Sequence, residues 1–247
     1  MTQRVLILGA TSAIASAVAS RYADRGARLH LVGRNAEKLR ALVASLAAAA
    51  PTSDVADFCD LAGNGRVIQH ALSTLGGVDV ALIAHGELGD QLESEHSADA
   101  AELALRTNFV SVVSLLVPLA NALESQRQGT IGVITSVAGE RGRPRNYTYG
   151  AAKGGLNIYL QGLRSRLYRS KVRVVTLKLG PVDTPMTRDH RKNILFARPA
   201  DVARDIERAL DAGSPEAFVP AFWGAIMPLV RSAPERVFQL LPFLSGR

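Results

Sequence analysis

The stretch Arg4-Val5-Leu6-Ile7-Leu8-Gly9-Ala10-Thr11-Ser12-Ala13-Ile14-Ala15 decides how the rest of the chain is read. Its first half is a near-continuous aliphatic run, the pattern of a strand buried on both faces. A turn of small residues follows with no linker, and apolar residues at helical spacing continue to Asp24. The same alternation recurs down the chain. Strands are expected at Arg4–Leu8, Arg28–Val32, Val55–Phe58, Val78–Ala84, Thr130–Ser136, Val172–Leu177 and Ala217–Val219. Helices are expected at Ala13–Asp24, Ala36–Ala49, Gly63–Leu75, Ala98–Gln126, Ala151–Tyr168 and Pro199–Ala212. Pro118 lies inside the fourth of these, which either kinks there or is two helices. Alternation of this kind gives an α/β chain: a doubly wound Rossmann fold of about seven parallel strands with helices on both faces. No Gly/Ser/Pro-rich linker and no repeat divides the 247 residues, so one domain is expected, with an apolar C-terminal extension over 218–247.

Composition narrows the function. Apolar content of 47% and charged content of 21% suit a soluble globular protein. The single cysteine, Cys59, allows no internal disulfide and fits a reducing, cytoplasmic compartment. No signal-peptide pattern is read at Met1–Gly9, and the uncharged stretch Ala217–Val230, 14 residues with two prolines, is too short to span a bilayer. The net charge of +7 admits nucleic acid, an anionic membrane surface or an anionic substrate. With 5% aromatic residues and no recognition motif or zinc-ligand spacing, nucleic-acid binding is not expected and no metal site is read.

The turn after the first strand, Gly9, Thr11, Ser12, Ala13 and Ile14, is placed to bring backbone amides and a helix N-terminus to a pyrophosphate. Only Gly9 is a glycine there; Ala13 and Ala15 stand where glycines are usual, and an ordinary tight turn has the same pattern. The second strand ends in Gly33-Arg34. An acidic side chain there would hold a ribose 2′-hydroxyl, whereas glycine leaves room for a 2′-phosphate and arginine supplies a bidentate cation. The expected cofactor is therefore NADP(H) rather than NAD(H).

Tyr149 and Lys153 are four residues apart, on one face of a helix, and Ser136 lies thirteen residues before Tyr149 at the end of a strand. An ammonium beside a phenol is expected to lower the phenol pKa, letting it exchange a proton with a carbonyl oxygen that Ser136 also meets. Basic residues are overwhelmingly arginine, with 24 Arg against 5 Lys, which sets Lys153 apart from generic surface charge. The bland alternative is a solvated helix with Tyr149 half buried.

Taken together, these residues resemble the classical short-chain dehydrogenase/reductase family over almost the whole chain. The resemblance implies that Tyr149 is the general acid in reduction, that Ser136 positions the substrate oxygen and that Lys153 binds ribose hydroxyls. It implies that Asn108 holds a water in a proton relay and that Asp60 lies near the adenine. Ala84-His85-Gly86 occupies the position of the family's Asn-Ala-Gly turn, giving a backbone role beside the cofactor; the His85 side chain departs from the pattern. Gly180, Val182 and Thr184 are similar to the segment that wraps the nicotinamide, with Leu179 in place of a common proline. Homodimers or homotetramers through the long helices are implied. A catalytically silent nucleotide-binding sensor is the alternative function, and the Ser136/Tyr149/Lys153/Asn108 set argues against it.

Two arginine-rich segments flank this machinery: Arg141, Arg143 and Arg145 before the catalytic helix, and Arg188, Arg191 and Lys192 after the nicotinamide segment. Either cluster could bind phosphate, be solvated surface charge, or make contacts between subunits. From Phe218 to Leu244 apolar residues, among them Phe222, Trp223, Ile226, Phe238 and Phe243, recur beside cations. Such a stretch covers a lipid-chain pocket, touches a membrane interface, or packs on the core or a partner subunit. This ending, the catalytic segment and Gly86-Glu87-Leu88-Gly89-Asp90 are similar to bacterial reductases of decaprenylphosphoryl-2-keto-ribofuranose. That resemblance implies a phosphate-bearing, lipid-linked keto-sugar substrate.

Overall fold

A computed structural model describes residues 2–188 and 192–240. Seven strands form one parallel sheet in the order β3-β2-β1-β4-β5-β6-β7: β1 Arg4–Leu8, β2 Arg28–Gly33, β3 Thr52–Val55, β4 Val80–Ile83, β5 Gly129–Ser136, β6 Val172–Leu179 and β7 Glu216–Val219. Strand order reverses between β1 and β4, which pair from Val5↔Val80 to Leu8↔Ile83. A crevice therefore opens at their carboxyl ends, where ligands bind in open α/β sheets.

Two apolar layers sandwich the sheet. On one face α1 (Ala13–Asp24) and α8 (Pro199–Ala212) cover β1, β2 and β6 through Val18, Tyr22, Val202 and Ile206. On the other, α3 (Asn64–Leu75), α6 (Ser111–Gln126) and α7 (Tyr147–Leu167) close over β4 and β5 through Ile68, Leu116, Leu119, Leu156 and Leu160. The remaining helices are α2 (Ala36–Ser45), α4 (Gln91–His96), α5 (Ala98–Leu105), α9 (Trp223–Ser232) and α10 (Glu235–Leu240).

Several elements differ from expectation, each for a physical reason. Strand β3 is Thr52–Val55 rather than Val55–Phe58: as the edge strand it is held by backbone pairing to β2 and needs no apolar face, while Phe58 packs into the core from the following loop. Helix α2 stops at Ser45, and Ala47–Ala49 tightens into a single 3₁₀ turn ending at Ala50, whose φ is +43°. Helix α7 begins at Tyr147, four residues before the expected start. The long segment Ala98–Gln126 runs through Pro118 without dividing there. Packed leucines on both sides outweigh the roughly 3 kcal/mol that an internal proline costs. Its irregularity lies earlier, in one wide π turn, Arg106–Val110, that carries Asn108. By length and composition this segment could cross a membrane, but half of its most apolar window is buried in the fold, as expected of a core helix.

Candidate active site

Every residue expected at the crevice from β1, β2, β4, β5 and β6 lies at a carboxyl strand end. Gly9 closes β1 with φ +85°, a value that disfavours any side chain. A Cβ there would come within 2.6 Å of the His85 amide nitrogen, so glycine is what lets β1 and β4 meet at this point. Ser12 caps α1, its hydroxyl accepting from the Ala15 amide at 3.1 Å. The amides of Ala13 and Ile14, in the first turn, are left facing out of the helix end. Thr11 lies against Gly33 at the end of β2. Arg34 is 68% exposed and faces Glu87, 3.8 Å away across the mouth of the crevice. Asp60 is exposed on the β3–α3 loop and lies against Gly63.

The centre of the site is dry and polar. At Gly86 (φ +155°) a Cβ would fall 2.7 Å from Asn108 Oδ1 and 3.3 Å from Lys153 Nζ, so these three residues share one small space. Asn108 is fully buried; its Nδ2 donates to Ala104 O at 2.9 Å and its Oδ1 accepts from the Glu87 amide at 3.1 Å. Lys153, 2% exposed, donates to Ile134 O at 3.1 Å, and its Nζ lies 5.7 Å from the centre of the Tyr149 ring. Ser136 Oγ accepts from the Ala138 amide at 3.1 Å and lies 3.4 Å from Leu179 O. It also hydrogen-bonds the Tyr149 phenol.

The electrostatics correct one expectation. Lys153 does not set the Tyr149 pKa in the folded chain: burial pushes the phenol up to about 12, opposed by the Ser136 hydrogen bond. Burial also pulls the Lys153 ammonium down to about 8. Desolvation of both groups outweighs their mutual attraction, because Nζ is aimed at a carbonyl rather than at the phenol oxygen. His85 is held down to about 3, by burial first and then by the charges of Lys153 and Arg34. It is a neutral imidazole packed on Phe58, with Nε2 2.8 Å from Ser111 Oγ.

Gly180, Val182 and Thr184 follow β6. Trp223 lies against Gly180, Val182 bridges to Ala197, and the Thr184 amide donates to Thr187 Oγ1 at 3.2 Å. Of the flanking cations, Arg141 is already engaged. It donates to Val230 O at 2.9 Å, to Ala233 O and to Glu235, and lies 4.0 Å over the Phe238 ring, fastening α9 and α10 to the loop after β5. Lys192 pairs with Asp183. Arg191 lies outside the described residues, as do Phe243, Leu244 and the rest of 241–247. In the C-terminal stretch Trp223, Met227, Val230 and Phe238 are buried against Val137, whereas Phe222, Leu229, Val237 and Leu240 are exposed.

Sequence reasoning missed Gln91, whose Oε1 accepts from the Thr148 amide at 3.0 Å at the start of α7. Glu87 was read only as part of the Gly86–Asp90 stretch, with no hint that it stands opposite Arg34. A surface hollow lined by Gln3, Arg4, Asp79 and Gln128 lies at the opposite, amino end of the sheet, where Arg4 and Asp79 bind each other at 2.7 Å.

A doubly wound parallel sheet that gathers a glycine turn, a serine, a tyrosine and a buried lysine at its carboxyl edge defines an oxidoreductase of the hydride-transferring type. The chain belongs to the short chain dehydrogenase family, whose model matches residues 3–195. It is 34% identical over 241 residues to an uncharacterized oxidoreductase of Mycobacterium tuberculosis, covering 96% of each chain. It is 35% identical over 243 residues to an uncharacterized oxidoreductase of Streptomyces coelicolor, covering 96% of this chain and 95% of that one. Among solved structures, actinorhodin polyketide ketoreductase with NADPH superposes with a TM-score of 0.79 at 21% identity, over 88% of this chain and 95% of that one. Levodione reductase superposes with a TM-score of 0.78 at 24% identity, over 87% and 94%. The residues present fit a nicotinamide cofactor. The floor at Gly9 and Gly86 tolerates no side chain, the α1 amides are turned outward, and Lys153 brings a buried amine beside Gly86.

Proposed function

We propose that this chain interconverts a carbonyl and a secondary alcohol with NADP(H). The convergence of Gly86, Asn108, Lys153 and Tyr149 carries this reading. When bound in the reductive direction, a nicotinamide cofactor would supply hydride for the carbonyl carbon. Tyr149, protonated throughout the physiological range, donates its phenolic proton to the substrate oxygen. Ser136 hydrogen-bonds the same oxygen. Lys153, whose pKa near 8 suits a proton relay, holds ribose hydroxyls and returns a proton to Tyr149. Asn108 positions a water between Lys153 and solvent. Gly9, Thr11, Ser12, Ala13 and Ile14 cradle the pyrophosphate, Ala84, His85 and Gly86 line the ribose through their backbone, and Gly180, Val182 and Thr184 border the nicotinamide. Asp60 sits toward the adenine. The preference for NADP(H) rests on Arg34, which is close enough to Glu87 only for a loose pair and is free to turn to a 2′-phosphate.

The substrate in this reading is rich in hydrogen-bond acceptors. Arg143 Nε, Gln91 Nε2 and Trp223 Nε1 are buried donors with no hydrogen-bond partner among the described residues; Arg143 lies on the loop before α7, Gln91 opens α4 beside Thr148, and Trp223 opens α9 against Gly180. A phosphate-bearing keto-sugar would offer such acceptors if these side chains turned toward it, and the exposed side chains of Phe222, Leu229, Val237 and Leu240 could meet a prenyl chain or a membrane surface. Leu103, Val110, Val117 and Ile158 are exposed on the long helices, which suits a homodimer or homotetramer. The test is NADPH oxidation followed by absorbance against carbonyl substrates with and without a phosphate group. Turnover that depends on Tyr149 supports the reading. NADPH binding without turnover of any carbonyl would favour the silent sensor.

A further inference from the structure

A second constellation lies on the sheet edge formed by β2 and β3, apart from the tyrosine–lysine centre. His30 stands on β2, Asp54 on β3 and His70 on α3, and one ligand atom from each lies within 4.8 Å of the others. Nothing in the sequence joins them, since they are 24 and 16 residues apart. We propose that His30, Asp54 and His70 bind a single divalent ion of the zinc class.

The argument begins with His30, which is 1% exposed. Its Nδ1 is served by Thr52 Oγ1 at 2.8 Å, directly across the β2–β3 pairing, and Thr52 in turn reaches Leu29 O at 3.3 Å. That partner fixes the ring and leaves Nε2 to face the other two side chains. Nε2 is buried, and Asp54 is the one charged group set against it among the described residues, without the geometry of a good hydrogen bond. Asp54 Oδ2 is only 3.2 Å away, but off the direction in which the ring nitrogen bonds. A buried imidazole nitrogen left unmet is costly, and native folds rarely keep one without a ligand to satisfy it. The same Oδ2 lies 2.5 Å from His70 Nδ1, so three donors crowd one point without forming one aligned network.

A charged His30–Asp54 pair is the competing account. The geometry favours the metal: Thr52 Oγ1 gives its one proton to Leu29 O and so accepts from Nδ1–H, which leaves the Nε2 lone pair turned toward Asp54 and His70. Two imidazoles and one carboxylate select zinc and its neighbours over calcium or magnesium, which take oxygen donors. The exposure of His70 (61%) and Asp54 (31%) leaves the outer side open for water as a fourth ligand. Thr52 plays the part of the outer hydroxyl that orients a ligating histidine. Such an ion would tie α3 and the edge strand β3, which pairs only with β2, to the sheet.

The test uses tag-free full-length protein titrated with Zn²⁺ against a chromophoric chelator, with Co²⁺ absorption reporting ligand geometry. One equivalent is expected to bind, with a rise in Tm that EDTA reverses. His70→Ala and Asp54→Asn alter exposed or half-exposed side chains and should leave the far-ultraviolet circular dichroism unchanged. Each should weaken binding by at least about tenfold, while Cys59→Ser should not change it. The proposal falls if the wild type binds no stoichiometric Zn²⁺ at roughly 100 µM, a level well above useful site affinities. It also falls if both variants bind as the wild type does, or if Cys59→Ser abolishes binding.

Discussion

The two ends of the carboxyl edge solve opposite problems. At the β2 end, Arg34 and Glu87 stand in solvent at 68% and 37% exposure, 3.8 Å apart. At the β4–β5 centre, Lys153 and Asn108 are all but sealed from water, and Lys153 and Tyr149 titrate far from their ordinary values. Exposed charges are screened and cheap to rearrange, so the outer end suits recognition of a mobile phosphate. Buried groups cannot be re-solvated, so the inner end holds fixed donors where a reaction needs them, at a cost in stability.

Breaking the inner end should produce the largest effects. Tyr149→Phe removes the phenolic proton while keeping the ring and is expected to lower kcat by roughly 10²–10⁴-fold with the fold intact, measured by steady-state NADPH oxidation. Retained turnover would remove the assignment of the acid.

Lys153→Met should also abolish turnover, yet make the protein more resistant to heat near pH 7. The folded-state pKa of Lys153, about 8, is below the unfolded value of 10.5, so the native state disfavours the ammonium. Below pH 8 the buried charge opposes folding in full, on the order of 3 kcal/mol. Between pH 8 and 10.5 the unfolded chain binds more protons, and the penalty is relieved as pH rises. Thermal melts of wild type and variant should therefore converge across that window, and parallel curves would contradict it. The same titration should make kcat/KM for NADPH fall as pH rises past about 8, since that parameter reports the free enzyme.

At the outer end smaller changes are expected. Arg34→Ala should cut the preference for NADPH over NADH by about 10–100-fold, through KM with kcat nearly unchanged. Glu87→Gln should have the smallest effect, lowering KM for NADPH by about two- to threefold, because an exposed pair is worth under about 1 kcal/mol. If Glu87→Gln matched Arg34→Ala in size, the contrast between the two ends would fail.

Much of this edge was legible in the chain itself. Aliphatic runs announced six strands to within a few residues, and spacing alone put Tyr149 and Lys153 on one helical face. The edge strand Thr52–Val55 was misplaced because pairing on a single side asks little of its side chains. Arg141 read as a candidate phosphate ligand, yet it fastens α9 and α10. Nothing in the order of residues hints at Trp223 against Gly180, or at His30 meeting His70.

By itself the sequence determined what repeats along one element: which runs are strands, which residues share a helical face, and which turn must be small. These follow from local geometry, with periods of two and 3.6 residues. Tertiary structure alone decided the protonation energies of Tyr149 and Lys153 and the partners of Arg141 and His30. Desolvation and contact depend on what the rest of the chain packs around a group, and that is not written next to it in the sequence.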